Sequence, residues 1–250
     1  MRIRFEFDIP VETSLPYHYP CALMSYFYHA VRLAEPDLAE WLHQEGIPYE
    51  GRKYKPFVFS PLAFDHCRKL PAQMRVQGKA TWKVDSIHAP LLQALYQGIQ
   101  TLNHLQLFSH RFPLRSIHFE ERPHFQPVMN YRCLGPVVVP VSKEGKLVFC
   151  HPLESDFYDQ IRTSLERWAK LKWGADYSNT DPIRIRLLKP DRFRLEQAAT
   201  LIEIKGKKIK GYQMPLQINA SPRIQEVAME AGIGSYTNQG FGMLEPISPS

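Results

Sequence analysis

No run of about 18 apolar residues occurs in this chain, so none of its segments reads as a membrane-spanning helix. The N-terminus, Met1-Arg-Ile-Arg-Phe-Glu-Phe-Asp, alternates charged and apolar residues and lacks the continuous apolar core of a signal peptide, so a cytoplasmic protein is expected. Cysteine is scarce: Cys21, Cys67, Cys133 and Cys150 lie far apart, and no Cys or His pair has zinc-ligand spacing. Reduced, mostly buried thiols are the reading, and no structural metal is expected. Acidic residues are scattered, with no His-Asp motif and no carboxylate cluster to hold a catalytic metal. The G-x-S-x-G elbow of a serine hydrolase is missing as well. So is the aromatic signature of a standard RNA-recognition sheet.

What is present is an ordinary globular composition over 250 residues, 44% hydrophobic and 22% charged, enough for one large domain or two small ones. The formal charge of +6 favours a polyanionic partner without naming one. Alternation over 2–8 predicts a strand, and Leu23, Met24, Phe27, Tyr28 and Val31 place a helix over 21–34. Pro36 suits a helix start, and Asp37 with Glu40 resembles a capping box for a short helix over 37–44. Strands over 55–60, 80–88 and 112–119 and a helix over 90–102 complete the first half. The order is β-α-β-β-α-β, the ferredoxin-like pattern.

The second half repeats the scheme less clearly. Residues 137–141 read as a strand hairpinned to 146–150, and Phe157, Ile161, Leu165, Trp168 and Leu171 stripe a helix over 154–172. Strands follow over 183–188, 200–204 and 209–218, then a helix over 222–232 and a last strand over 240–245. The expected fold is α+β, two tandem ferredoxin-like (RRM-like) domains over 1–123 and 124–250, with a C-terminal glycine-rich loop. That loop, Gly232-Ile-Gly-Ser-Tyr-Thr-Asn-Gln-Gly-Phe-Gly242, runs from helix to strand, opposite to a dinucleotide-binding turn. Glycines admit positive φ and close backbone approach, and their gathered N–H groups suit phosphate oxygens.

With that loop at the end of such a fold, the chain resembles the RAMP superfamily of CRISPR-associated proteins. More narrowly, it resembles the family that processes precursor CRISPR RNA within its repeats. Supporting segments are Tyr26-Phe-Tyr-His-Ala30, Glu40-Trp-Leu-His43, Lys55-Pro-Phe-Val-Phe-Ser60 and Lys189-Pro-Asp-Arg-Phe-Arg194. The resemblance implies a metal-independent endoribonuclease, leaving 2′,3′-cyclic phosphate and 5′-hydroxyl ends by general acid–base chemistry, with no cofactor. It puts His43 on the catalytic histidine, Tyr28 on the tyrosine and Lys55 on the lysine. Histidine suits proton transfer near neutrality, lysine suits a developing negative charge, and tyrosine can orient a hydroxyl. His29 remains a rival to His43, and Arg52 and Lys53 remain rivals to Lys55.

For holding RNA, the resemblance implicates Lys189, Arg192, Arg194 and the loop glycines Gly232, Gly234, Gly240 and Gly242. Arg184 and Arg186 give one strand a basic face, and Lys205, Lys207, Lys208 and Lys210 crowd one turn. Such cations contribute salt-dependent, sequence-independent affinity. Tyr236 and Phe241 are the aromatic residues offered for stacking on bases. The expected partners are CRISPR repeat RNA and other CRISPR-associated effector subunits, for a monomer or homodimer without a membrane. A non-cleaving repeat-RNA-binding protein of the same superfamily is the alternative.

Overall fold

The computed structural model describes residues 1–178, 181–204 and 206–247, and the chain separates into two compact units, Met1–Arg122 and Pro123–Ser250. In the first, β1 (Arg2–Pro16) leads through α1 (Tyr19–Ala34) and α2 (Pro36–Gln44) into the hairpin β2 (Ile47–Tyr49) and β3 (Arg52–Tyr54). Then come β4 (Phe57–Phe59), β5 (Ala63–Lys69), β6 (Gln73–Ser86), α3 (Ala89–Leu102), β7 (His104–Leu107) and β8 (His110–Glu120). The main sheet has the order β4-β6-β1-β8-β7, with β5 also on β6 and every pairing antiparallel. Taking β1, β4, β6 and β8 as strands one to four, the spatial order is 4-1-3-2, the ferredoxin-like arrangement.

Strict alternation in β1 makes the core. Ile3, Phe5, Phe7 and Ile9 are fully buried, while Arg4, Glu6 and Asp8 point to the opposite face. Each such apolar side chain contributes roughly 1.5–3 kcal/mol on leaving water. Phe27 of α1 stacks on Phe57 with ring centroids 4.0 Å apart. The expected strand over 2–8 runs on to Pro16, because an irregularity between Ile9 and Thr13 absorbs Pro10 before pairing resumes at Thr13↔Val76. β6 likewise starts earlier than expected, and β4 is shorter, with all three residues buried rather than alternating. The expected capping box does not form. Glu35 is the N-cap without a side-chain bond, Pro36 fills the first turn, and Asp37 and Glu40 lie inside the helix.

α1 and α3 cross at Gly98, where a Cβ would sit 1.9 Å from the Ala30 carbonyl oxygen. Alanine is the better helix former by up to about 1 kcal/mol, yet the backbone of α1 cannot yield as a side chain would. Gly98→Ala is therefore expected to lower stability by about 1–3 kcal/mol in urea titration.

The second unit holds β9 (Val128–Cys133), the hairpin β10 (Pro140–Lys143) and β11 (Lys146–Phe149), α4 (Ser155–Trp173) and β12 (Arg184–Leu187). A short α5 (Leu195–Ala198), the hairpin β13 (Ala199–Ile204) and β14 (Lys207–Tyr212), β15 (Pro215–Asn219), α6 (Pro222–Ala231) and β16 (Leu244–Pro246) follow. Its four-stranded sheet has the order β12-β15-β9-β16, again 4-1-3-2 and antiparallel. The unit is thus ferredoxin-like, with α4 and α6 as its two helices.

The second unit departs from the expected elements at several points. The first strand of this sheet is β9, which lacks a clean apolar alternation. Of the run 137–141 only Pro140 and Val141 belong to a strand, β10, which pairs with β11 as expected: Val137, Val138 and Val139 are buried before it, with single bridges to Tyr212 and Ser235. The stretch 209–218 divides into β14 and β15, and the last strand starts at Leu244 rather than at 240. Of the stripe on α4, Leu171 is only half-buried, while Phe157, Ile161, Leu165 and Trp168 are buried.

Candidate active site and basic pocket

Three elements of the first unit bring Tyr28, His43 and Lys55 together. Tyr28 sits half-buried on α1, beside the core ring of Phe57 at 6.1 Å. His43 is exposed in the last turn of α2, whose buried side carries Ala39 and Leu42. The two rings meet edge to face, 5.9 Å between centroids. Burial pushes the Tyr28 hydroxyl up to about 12, so at neutral pH it is a phenol and a hydrogen-bond donor.

Lys55 lies just before β4, and its ammonium donates to the carbonyl oxygens of Leu42 and of His43, the latter at 2.9 Å. Helices leave their last carbonyls without partners, and a cation there also meets the negative end of the helix dipole. Lys53, from β3, takes the next carbonyl, that of Gln44, at 3.0 Å. Burial foremost, and the charge of Lys53 second, hold the Lys55 pKa below its ordinary value. An ammonium has three N–H donors, so one remains after these two bonds.

Of the rivals, His29 is exposed one position along α1, and the ring that His43 meets is that of Tyr28. Arg52 is exposed on the β2–β3 hairpin, while Lys53 is tied to the end of α2. One aromatic neighbour escaped the sequence reading. His88 stands 5.2 Å from Trp41 of α2, and burial lowers its pKa. Among the described residues, no group of three or more His, Cys, Asp or Glu is placed to hold a metal ion. The described cysteines are free thiols: Cys133 and Cys150 are buried, Cys21 is half-buried and Cys67 is exposed.

In the second unit, Lys189, Arg192 and Arg194 surround a pocket of about 280 Å³ at the foot of the β13–β14 hairpin. Lys189 has a left-handed backbone, φ +53°, which turns the chain out of β12 into a 3-10 turn over Pro190–Arg192. Arg194 donates to the carbonyls of Asp191 and Phe193. Phe193 also lines the pocket, and sequence reasoning passed over it. Its signal was an aromatic ring between two arginines. Lys207 and Lys208 are exposed at the far end of the hairpin, and Lys205 lies outside the described residues. Five steps of about 3.3 Å between its six residue pairs put that end roughly 17 Å from the pocket. Arg186 donates to Gln217 at 2.8 Å, and Gln217 to Asn130 at 2.9 Å, a polar rung across β12, β15 and β9.

The glycine loop differs from the expected phosphate cradle. The N–H groups of Ile233, Ser235 and Gly242 donate to the carbonyls of Gly242, Val138 and Pro136 at 2.8–2.9 Å. Gly232, Gly234, Gly240 and Gly242 all have positive φ. At Gly234 a Cβ would lie 2.6 Å from the Val138 oxygen, and at Gly242 it would lie 2.0 Å from that of Ile233. Close backbone packing therefore already demands glycine at both. Phe241 is 1% exposed and is core rather than a stacking platform, whereas Tyr236 is half-buried.

The C-terminal family model of CRISPR associated protein Cas6 matches residues 120–246. The CRISPR-associated endoribonuclease Cas6 of Pyrococcus furiosus is 22% identical over 231 residues, covering 92% of this chain and 83% of that protein. A solved structure described as an RAMP protein binding different RNA substrates superposes with a TM-score of 0.81 at 20% identity, over 99% of this chain and all of that one. The product of a Cas6-related gene from Pyrococcus furiosus gives a TM-score of 0.81 at 22% identity, over 100% and 99% of the two chains.

Proposed function

The chain belongs to the CRISPR-associated Cas6 family, and from that premise we propose that it is an endoribonuclease that binds CRISPR repeat RNA and cuts precursor CRISPR RNA within the repeats, without a metal. The observation that carries this reading is the meeting of Tyr28 and His43 at 5.9 Å, with the Lys55 ammonium on the backbone of His43. His43 moves a proton at the cleaved linkage, either from the attacking 2′-hydroxyl or to the leaving 5′-oxygen. Tyr28, neutral at physiological pH, orients a hydroxyl or a phosphate oxygen by donating to it. Lys55 keeps one N–H for the charge that grows on the phosphoryl oxygens. The products are a 2′,3′-cyclic phosphate and a 5′-hydroxyl.

The catalytic residues belong to the N-terminal domain, and RNA holding extends over the C-terminal one. There Lys189, Arg192, Arg194, Lys207 and Lys208 neutralise backbone phosphates. Gly232, Gly234, Gly240 and Gly242 support the surface through the loop that they shape. Cleavage of a labelled repeat RNA in excess EDTA tests the reading. Wild-type protein is expected to cut, to leave a cyclic phosphate, and to stop when the nucleotide before the cut lacks its 2′-hydroxyl. Tight binding without any cleavage would instead make this an RNA-holding protein, and cleavage of the deoxy substrate would remove the proposed chemistry.

A further inference from the structure

The pocket at the foot of the β13–β14 hairpin has a composition that simple charge neutralisation does not need. Its lining includes the half-exposed Phe193, flanked in sequence by Arg192 and Arg194, together with Lys189. None of its lining residues carries a carboxylate. A second pocket, of about 400 Å³ in the first unit, shows the contrast. Glu12 and Asp65 line it beside Arg68 and Arg75, and Glu12 pairs with Arg75 at 3.0 Å. Its cations are answered internally; those around Phe193 have no acidic residue among the pocket's lining.

Gln213, which also lines the pocket, is fixed by its own bonds. Its side-chain nitrogen donates to the Cys133 carbonyl at 2.8 Å, and its backbone N–H donates to Ala198 at 2.9 Å. An amide held in place in a pocket that also holds an aromatic ring is suited to a hydrogen bond with a base edge. A volume of about 280 Å³ is small for a ligand site, roughly the lower end of the usual range, which suits one base rather than a folded helix. Double-stranded RNA offers its base faces to nothing but neighbouring bases, so only an unstacked nucleotide can present one.

We infer that this pocket seats a single unpaired nucleotide of bound RNA, its base against Phe193 and its phosphates between Lys189 and Arg192. The inference rests on the RNA-binding reading above and adds to it one fixed position along the strand. Arg194, held back on the carbonyls of Asp191 and Phe193, stiffens the turn that carries the ring.

The test uses the full chain and a short labelled single-stranded RNA, titrated by fluorescence anisotropy, first intact and then with one abasic nucleotide moved along it. Phe193→Ala is expected to weaken binding roughly 5- to 100-fold, the range of one lost stacking contact, with Phe193→Tyr close to wild type. One abasic position should weaken wild type by a similar factor and do little more to Phe193→Ala, because the same contact cannot be lost twice. Arg192→Gln should lower the slope of log affinity against log salt by about 1. Should Phe193→Ala lose its fold, Phe193→Leu, which keeps bulk but not the aromatic face, is crossed with the abasic series in its place. Its loss must then depend on the same nucleotide. The pocket assignment is wrong if wild type binds tightly but no abasic position interacts with either substitution. If wild type does not bind the RNA at all, the RNA-binding reading falls and this inference falls with it.

Discussion

Replacing His43 with alanine is expected to slow single-turnover cleavage of repeat RNA by on the order of 10²–10⁴ while leaving RNA affinity unchanged. Two magnitudes make this a clean reading. His43 is exposed on the last turn of α2, so its removal opens no buried cavity and forfeits chiefly its edge-to-face contact with Tyr28, about 0.5–1.5 kcal/mol. The rate loss corresponds to about 3–5 kcal/mol at the transition state. Unfolding therefore cannot stand in for lost chemistry, and urea melting on the same sample checks it. Equal rates for the two proteins would move proton transfer to another group, with His29 first in line.

The second large effect falls on stability. Gly242→Ala is expected to cost about 2–5 kcal/mol, since two penalties add. A left-handed backbone at φ +66° costs an L residue roughly 1–2 kcal/mol, and a Cβ at 2.0 Å from the Ile233 oxygen overpacks a site made of main chain for another 1–3. The collision also disturbs two backbone bonds, Gly242 N–H to Pro136 and Ile233 N–H to Gly242. Gly51 separates the two penalties. Its φ is +71° with nothing within 4 Å of a Cβ, so Gly51→Ala should cost only the first, roughly 1–2 kcal/mol. Equal losses in urea for both variants would show that the close approach at Gly242 contributes nothing. RNA binding lost by Gly242→Ala at full stability would instead mean that the loop touches RNA directly.

Much of the fold was legible because helices announce themselves over long windows. α1, α3, α4 and α6 each carry a continuous apolar stripe, and the β-α-β-β-α-β order of the first unit follows from it. Strands were harder. Val128-Met-Asn-Tyr-Arg-Cys133 spends its alternation on weak contrasts, yet it is a central strand, because Tyr131 and Cys133 find the core, with Met129 half-buried, and Val128, Asn130 and Arg132 find solvent. Val137-Val-Val139 has the stronger β-propensity and is no strand, since the glycine loop and Tyr212 take its hydrogen bonds one at a time. Propensity records a preference for extended backbone, and only tertiary partners decide whether a ladder forms. At the candidate site, Tyr28 and His43 stand out in the sequence through family resemblance alone. The bond between Lys55 and the end of α2 joins residues 12 and 13 apart through a hairpin, which no local pattern encodes.

The position of β9 carries a consequence for synthesis. It lies between β15 and β16, so its two ladder partners are made last. From Cys133 to Pro215 the ribosome must add roughly 80 residues, about 4–16 s at ordinary elongation rates. During that interval the first unit, complete at Arg122, can already fold. β9 meanwhile waits with both edges open, the state in which strands pair with wrong partners. Chaperone dependence and losses from stalled translation should therefore concentrate in the second unit.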